Sequence, residues 1–132
     1  MIVVDTSVVI DFLLQLPPFA VKINDRIIKE VPLIMAPHLL DAEVGQVLRR
    51  FVRQNKLSHK RAMLAFADLQ NMPIIRYEHL PLLSRAFKYR DNVTFYDAIY
   101  LALAESINAP FLTRDKALAA IPGCKARVEL FA

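Results

Sequence analysis

A chain of 132 residues has room for one domain around a single sizeable core. Hydrophobic residues make up 55% of it and glycine only 2 positions, which excludes a disordered or linker protein. The balance of 17 basic against 13 acidic residues leaves a net charge of +4, compatible with a nucleic-acid partner without requiring one. A lone cysteine, Cys124, excludes an intramolecular disulfide and suits a reducing compartment. No stretch reaches the roughly 18 to 20 apolar residues of a membrane span. The apolar start has no basic leader and is interrupted by Asp5 and Asp11, so a cytoplasmic location with no membrane partner is expected.

Ile2 to Val4 is a short β-branched run, and Asp5-Thr6-Ser7 is a turn able to cap a helix. Val8, Val9, Phe12, Leu13 and Leu16 then recur at helical spacing until Pro17-Pro18. A second helix is predicted over 19–30, closed by Pro32. Leu33 to Ala36 is the next strand, ended by Pro37. From His38 the stripe Leu40, Val44, Val47, Leu48 and Phe51 predicts a helix, and Asn55 to Ser58 is a turn. Ser58 caps a helix through Leu69, Pro73 to Arg76 is a strand, and His79 to Tyr89 is a helix. Thr94 opens a helix through Ile107, broken by Asn108-Ala109-Pro110. Phe111 to Thr113, Lys116 to Ala120 and Arg127 to Phe131 complete the chain as strand, helix and strand. Apolar strands separated by helices predict one α/β sandwich domain with a mainly parallel sheet. The apolar excess also suits a surface that a partner hides.

Ligands of open parallel sheets bind beyond the carboxyl ends of the strands, where the winding reverses. Asp5 follows the first strand and Asp115 follows the strand ending at Thr113, so both belong on that edge. Glu43 and Asp97 lie near the starts of helices that leave it. Glu43 interrupts the row Leu39, Glu43, Val47, and Asp97 sits among Tyr96, Ile99, Tyr100 and Leu103. A carboxylate at such a border is costly without a partner, and neither segment offers an obvious Lys or Arg. A divalent cation would resolve the conflict. Plainer roles stand beside this one. Asp5 and Asp115 could cap the helices that follow them, and Thr94 with Asp97 matches a capping box. Capping and metal binding are compatible, because a capping carboxylate keeps a second oxygen.

Four segments carry a resemblance. Val-Val-Asp-Thr-Ser-Val-Val-Ile-Asp at the start, Asp-Ala-Glu-Val in mid-chain, Tyr-Asp-Ala-Ile-Tyr-Leu-Ala-Leu-Ala-Glu, and Phe-Leu-Thr-Arg-Asp-Lys-Ala-Leu together resemble those of PIN-domain ribonucleases. Their order is most similar to the VapC-type toxins of prokaryotic toxin–antitoxin pairs. The resemblance implies a three-layer α/β/α sandwich around a five-stranded, mainly parallel sheet. It implies an acidic quartet of Asp5, Glu43, Asp97 and Asp115 that is both catalytic and metal-binding, with Ser7 and Thr113 as polar neighbours. It also implies a homodimer, an RNA substrate cut to leave a 5′-phosphate, and a cognate antitoxin whose peptide covers apolar grooves. Ala117 stands two residues after Asp115, where some members carry a further acid, and 19–30 is a region where members differ.

An all-carboxylate set without clustered His or Cys favours Mg²⁺ or Mn²⁺ over Zn²⁺. Asp5 and Asp97 are expected as direct ligands, with Glu43 and Asp115 acting through water or orienting the attacking hydroxide. For the RNA side the candidates are Arg49, Arg50, Arg53 and Lys56 on one helix end and turn, with Lys88 and Arg90 in a smaller group. The first group equally suits a solvated face or a protein-docking surface. His38, His59 and His79 are read as surface or structural residues, and Thr6 and Ser7 as possible simple caps. Two other classes share the pattern. One is an aspartyl-phosphate phosphotransferase or receiver-like domain built on Asp5, although Ser7 stands where the phosphatase pattern wants a second Asp. The other is a non-catalytic module whose acidic pocket holds a basic peptide.

Overall fold

A computed structural model describes residues 1–30 and 33–132. Its elements, in chain order, are β1 (Ile2–Val4), α1 (Thr6–Leu14), α2 (Ala20–Ile28), β2 (Ile34–Pro37), α3 (Leu39–Arg53) and α4 (His59–Asn71). They continue with β3 (Ile74–Tyr77), α5 (Leu83–Phe87), α6 (Phe95–Ser106), β4 (Phe111–Thr113), α7 (Lys116–Ala119) and β5 (Val128–Leu130). The five strands form one sheet in the order β3-β2-β1-β4-β5, and every pairing is parallel. "Mainly parallel" thus becomes wholly parallel.

Alternation along the strands divides the apolar residues between two layers of helices. Ile2, Val4, Ile34, Ala36 and Leu112 face a core with residues of α1 to α4. Val3, Met35 and Phe111 face the opposite core, with α5, α6 and α7. Because both faces are covered, β1 is an unbroken apolar run and every residue of β4 is buried. Helix α6 is held the same way, with seven consecutive residues from Ala98 to Ala104 buried. This is the three-layer α/β/α arrangement. Strand β1 lies between β2 and β4, so the winding reverses beside it.

Local signals account for most boundaries. Ser58 accepts the Arg61 amide at 3.0 Å and starts α4, while Asn55 and Asn108 take left-handed φ values of 57° and 52° just past α3 and α6. Pro37 ends β2 inside the strand rather than after it. Pairing of β1 with β2 stops at Val3–Met35, so the missing amide breaks no bond on that side. The helix predicted over His79–Tyr89 is shorter than expected: a 3₁₀ turn at Leu80–Leu82, which contains Pro81, precedes α5. Closure of α2 by Pro32 lies outside the described residues. Among those residues no helix is long and apolar enough to cross a membrane.

Leu112 is fully buried in β4, next to the central strand. Leu112→Ala is expected to lower unfolding free energy by about 2–5 kcal/mol through the cavity it leaves. Urea denaturation followed by circular dichroism would measure it.

Candidate active site

The register Val4↔Leu112 sets the ends of β1 and β4 side by side, so the residues that follow them meet. Thr113 donates its hydroxyl to Asp5 Oδ2 at 2.5 Å, and the Asp115 amide donates to Thr113 Oγ1 at 3.0 Å. Asp5 Oδ1 accepts from the Val8 amide at 3.1 Å and from Ser7 Oγ at 2.6 Å, so Asp5 is also the N-cap of α1. Asp115 caps α7 by accepting the Ala117 amide at 2.9 Å. Asp97 lies in the first turn of α6, where Thr94 Oγ1 accepts its amide at 3.2 Å. Glu43 projects from the second turn of α3. Its Oε1 accepts from Tyr100 at 2.7 Å and from Thr6 at 3.1 Å.

All four acids line a single cavity of about 700 Å³. Its other walls carry Thr6, Ser7, Asp11, Gln46, Arg50, Tyr100 and Arg114, with Ile10, Leu16, Val47, Phe51 and Leu118 as an apolar flank. The capping roles and the shared cavity therefore coexist: Asp5 and Asp115 start helices, Asp97 sits in a capped first turn, and all three face one space.

Electrostatics shows the strain of this grouping. Burial pushes Asp5 up to about 6, against the lowering effect of its bonds from Ser7, Thr113 and Val8, and the charge of Asp97 adds to the rise. Burial also raises Asp97, with further upward pushes from Asp115 and Glu43. The Tyr100 phenol is raised by burial and by the Glu43 carboxylate beside it, so it remains a donor. Among the described residues none of the four acids makes a salt bridge. Nor, among those residues, does any set of three His, Cys, Asp or Glu side chains already surround one metal position. The donor set is all oxygen and suits a hard cation that keeps much of its water and takes one or two carboxylates directly.

The six candidate RNA-binding cations are all exposed, but they do not share one place. Arg50 lines the cavity with the acids, and Arg90 lines an adjoining groove that shares Asp97 and Asp115. Arg49, Arg53, Lys56 and Lys88 line neither. His79 accepts the Leu39 amide at 2.9 Å, a structural role, and His38 and His59 lie outside the cavity. Asp11, Tyr100 and Arg114 belong to the cavity wall but were not singled out by the sequence pattern. Asp11 carries the signal that marked Glu43: an acid among apolar neighbours on a helix.

An open parallel sheet with carboxylates gathered where its winding reverses defines an α/β protein built around an anionic cleft. The chain belongs to the PIN domain family, whose model matches residues 2–123. It is 42% identical over 129 residues to Ribonuclease VapC1 of Mycobacterium tuberculosis, covering 97% of this chain and 96% of that one. Its fold is similar to the crystal structure of PAE2754 from Pyrobaculum aerophilum, with a TM-score of 0.73, 23% identity, and coverage of 96% and 81%. A toxin–antitoxin complex from Klebsiella pneumoniae shares the fold with a TM-score of 0.62, 19% identity, and coverage of 98% and 96%.

The raised Asp5 carboxyl gives a pH test. The metal-free folded state holds a proton on Asp5 up to about pH 6, whereas the group's ordinary value is 3.8. Stability is therefore greatest below pH 4 for this group and falls as pH rises through 6, by about 3 kcal/mol. Asp97 and Asp11, also raised, act in the same direction. In EDTA, thermal melting is expected at lower temperature at pH 8 than at pH 5. Asp5→Asn should narrow that difference, and an unchanged difference would count against the buried charge.

Proposed function

We propose that the chain is a single-domain, divalent-metal-dependent endoribonuclease, the toxin of a toxin–antitoxin pair, acting in the cytoplasm. The carrying observation is that Asp5, Glu43, Asp97 and Asp115, from four separated segments, line one cavity without a cationic partner among the described residues. The name of the 42% identical Mycobacterium tuberculosis relative supports RNA as the substrate.

Asp5 and Asp97 would hold the ion, Mg²⁺ or Mn²⁺, directly, and Glu43 and Asp115 would act on it through water. When bound, such an ion lowers the pKa of water and stabilises charge on the phosphoryl and departing 3′ oxygens. Thr113, Ser7 and the Val8 amide fix both Asp5 oxygens from the protein side, so this carboxylate is preorganised and has little freedom to act as a nucleophile toward phosphorus. That disfavours an aspartyl-phosphate intermediate. Tyr100 and Thr6 occupy Glu43 Oε1, and Oε2 makes no hydrogen bond among the described residues. Oε2 is the atom that takes the proton from the attacking water. Arg50 on one side and Arg90 on the other grip phosphates of the strand.

Exposed apolar side chains support an antitoxin and a second copy as partners. Leu80, Phe87 and Tyr96 leave 76%, 56% and 63% of their surface in water, as expected of areas another chain covers. The toxin–antitoxin complex that shares the fold supports the antitoxin.

The test is cleavage of total cellular RNA by purified protein. Cutting is expected with Mg²⁺ or Mn²⁺ and is expected to stop in EDTA. Asp97→Asn should lower kcat by at least about a hundredfold with little change in melting temperature. Persistent cutting by Asp97→Asn, or none by folded wild-type protein with either ion, would overturn the proposal.

A further inference from the structure

One charged pair in the cavity wall has no part in the chemistry above. Asp11 lies on the inner side of α1 among Val8, Val9, Ile10 and Leu13, and its side chain is only 3% exposed. Arg114 sits directly before Asp115, yet its guanidinium turns to Asp11, with Nη1 3.2 Å from Oδ1 and 2.9 Å from Oδ2. Only the first contact has hydrogen-bond geometry, so Oδ2 is the one buried side-chain N or O atom without a hydrogen-bond partner among the described residues. The guanidinium carbon also lies 4.5 Å from the centre of the Phe19 ring, and the Arg114 amide donates to Ser7 Oγ at 3.1 Å. The arginine is thus clamped at its head by an acid and a ring, and at its backbone by Ser7 in the first turn of α1.

Stability alone does not explain the clamp. Burying an ion pair commonly gains nothing over apolar residues of the same volume, because desolvation offsets the attraction. What the pair achieves is orientation. With Nη1 committed to Asp11, Nε and Nη2 have no hydrogen-bond partner among the described residues, and 37% of the side chain stays exposed at the cavity wall. Arg114 does not neutralise the quartet, since its carboxylate partner is Asp11. It offers a fixed planar donor edge beside four acids, and a phosphodiester is the anion such an edge recognises.

We infer that Arg114 is a substrate-binding residue that grips an RNA phosphate neighbouring the scissile one, and that Asp11 is the positioning residue that holds it in place. This rests on the ribonuclease reading. In cleavage of a single-stranded RNA oligonucleotide at fixed Mg²⁺, Arg114→Gln should raise KM about tenfold with kcat nearly unchanged. The plot of log kcat/KM against log salt should become shallower by about 0.7, the share of one single-strand phosphate contact. Arg114→Lys should recover part of KM and all of the salt slope, because a point charge remains while the fork is lost. Asp11→Asn should raise KM several-fold with the salt slope unchanged, since the cation is present but loose. A purely structural pair would instead lower the melting temperature and the active fraction and leave KM alone.

Arg114→Gln strands a buried charge, so the Asp11→Asn, Arg114→Gln double variant is measured beside it as the neutral pair. Wild-type cleavage with KM and salt slope unchanged in both Arg114→Gln proteins would overturn this inference and leave the ribonuclease standing. Wild-type protein that neither cleaves nor binds the oligonucleotide would overturn both.

Discussion

The hydrogen bond from Thr113 to Asp5 is the contact on which the site depends. It exists because β1 and β4 run parallel in a register that ends both strands at the same level. That register requires two helical layers, since a parallel sheet with exposed faces would leave Val3, Val4, Phe111 and Leu112 in water. The apolar composition, the winding order and the acidic cleft are therefore linked. A sheet covered on both faces brings distant segments to one edge, and the carboxylates sit where that edge opens.

Repulsion then governs what the cleft can do. Asp5 and Asp97 are both raised by burial and by neighbouring acids, so the protein alone does not hold all four groups ionised without cost. Hydroxyls limit the cost without removing it. Ser7 and Thr113 serve Asp5, Tyr100 and Thr6 serve Glu43, and each gives a hydrogen bond while contributing no positive charge. A cleft organised by neutral donors retains its appetite for a cation, whereas one organised by lysines would not.

Much of this was readable in the chain. Apolar runs bounded by Pro and Asn marked the strands, and acids just after them marked the cleft edge. Glu43 stood out because a charge in an apolar row needs a reason. Tyr100 did not, since an aromatic among Ile99, Leu101 and Leu103 reads as core, and most of it is: the ring stacks on Phe111 at 5.9 Å while only its hydroxyl reaches the site. Charge density misled at the end of α3. Arg49, Arg50 and Arg53 look equivalent in a list, but the helix turns Glu43, Gln46, Val47 and Arg50 to the same side. Arg114 was hidden by its neighbour, because its partner Asp11 is more than a hundred residues away in sequence and close only through the fold.

Asp5 and Asp115 open the helices that follow them, and the amide of Asp97 closes the cap of a third. Replacing either of the first two by a residue without an acceptor would fray the start of a helix as well as remove a carboxylate from the cleft. The fold and the charge of the cleft are thereby coupled through the same side chains. Selection for folding alone would hold these positions to short polar acceptors, and the acidic rim would persist with them.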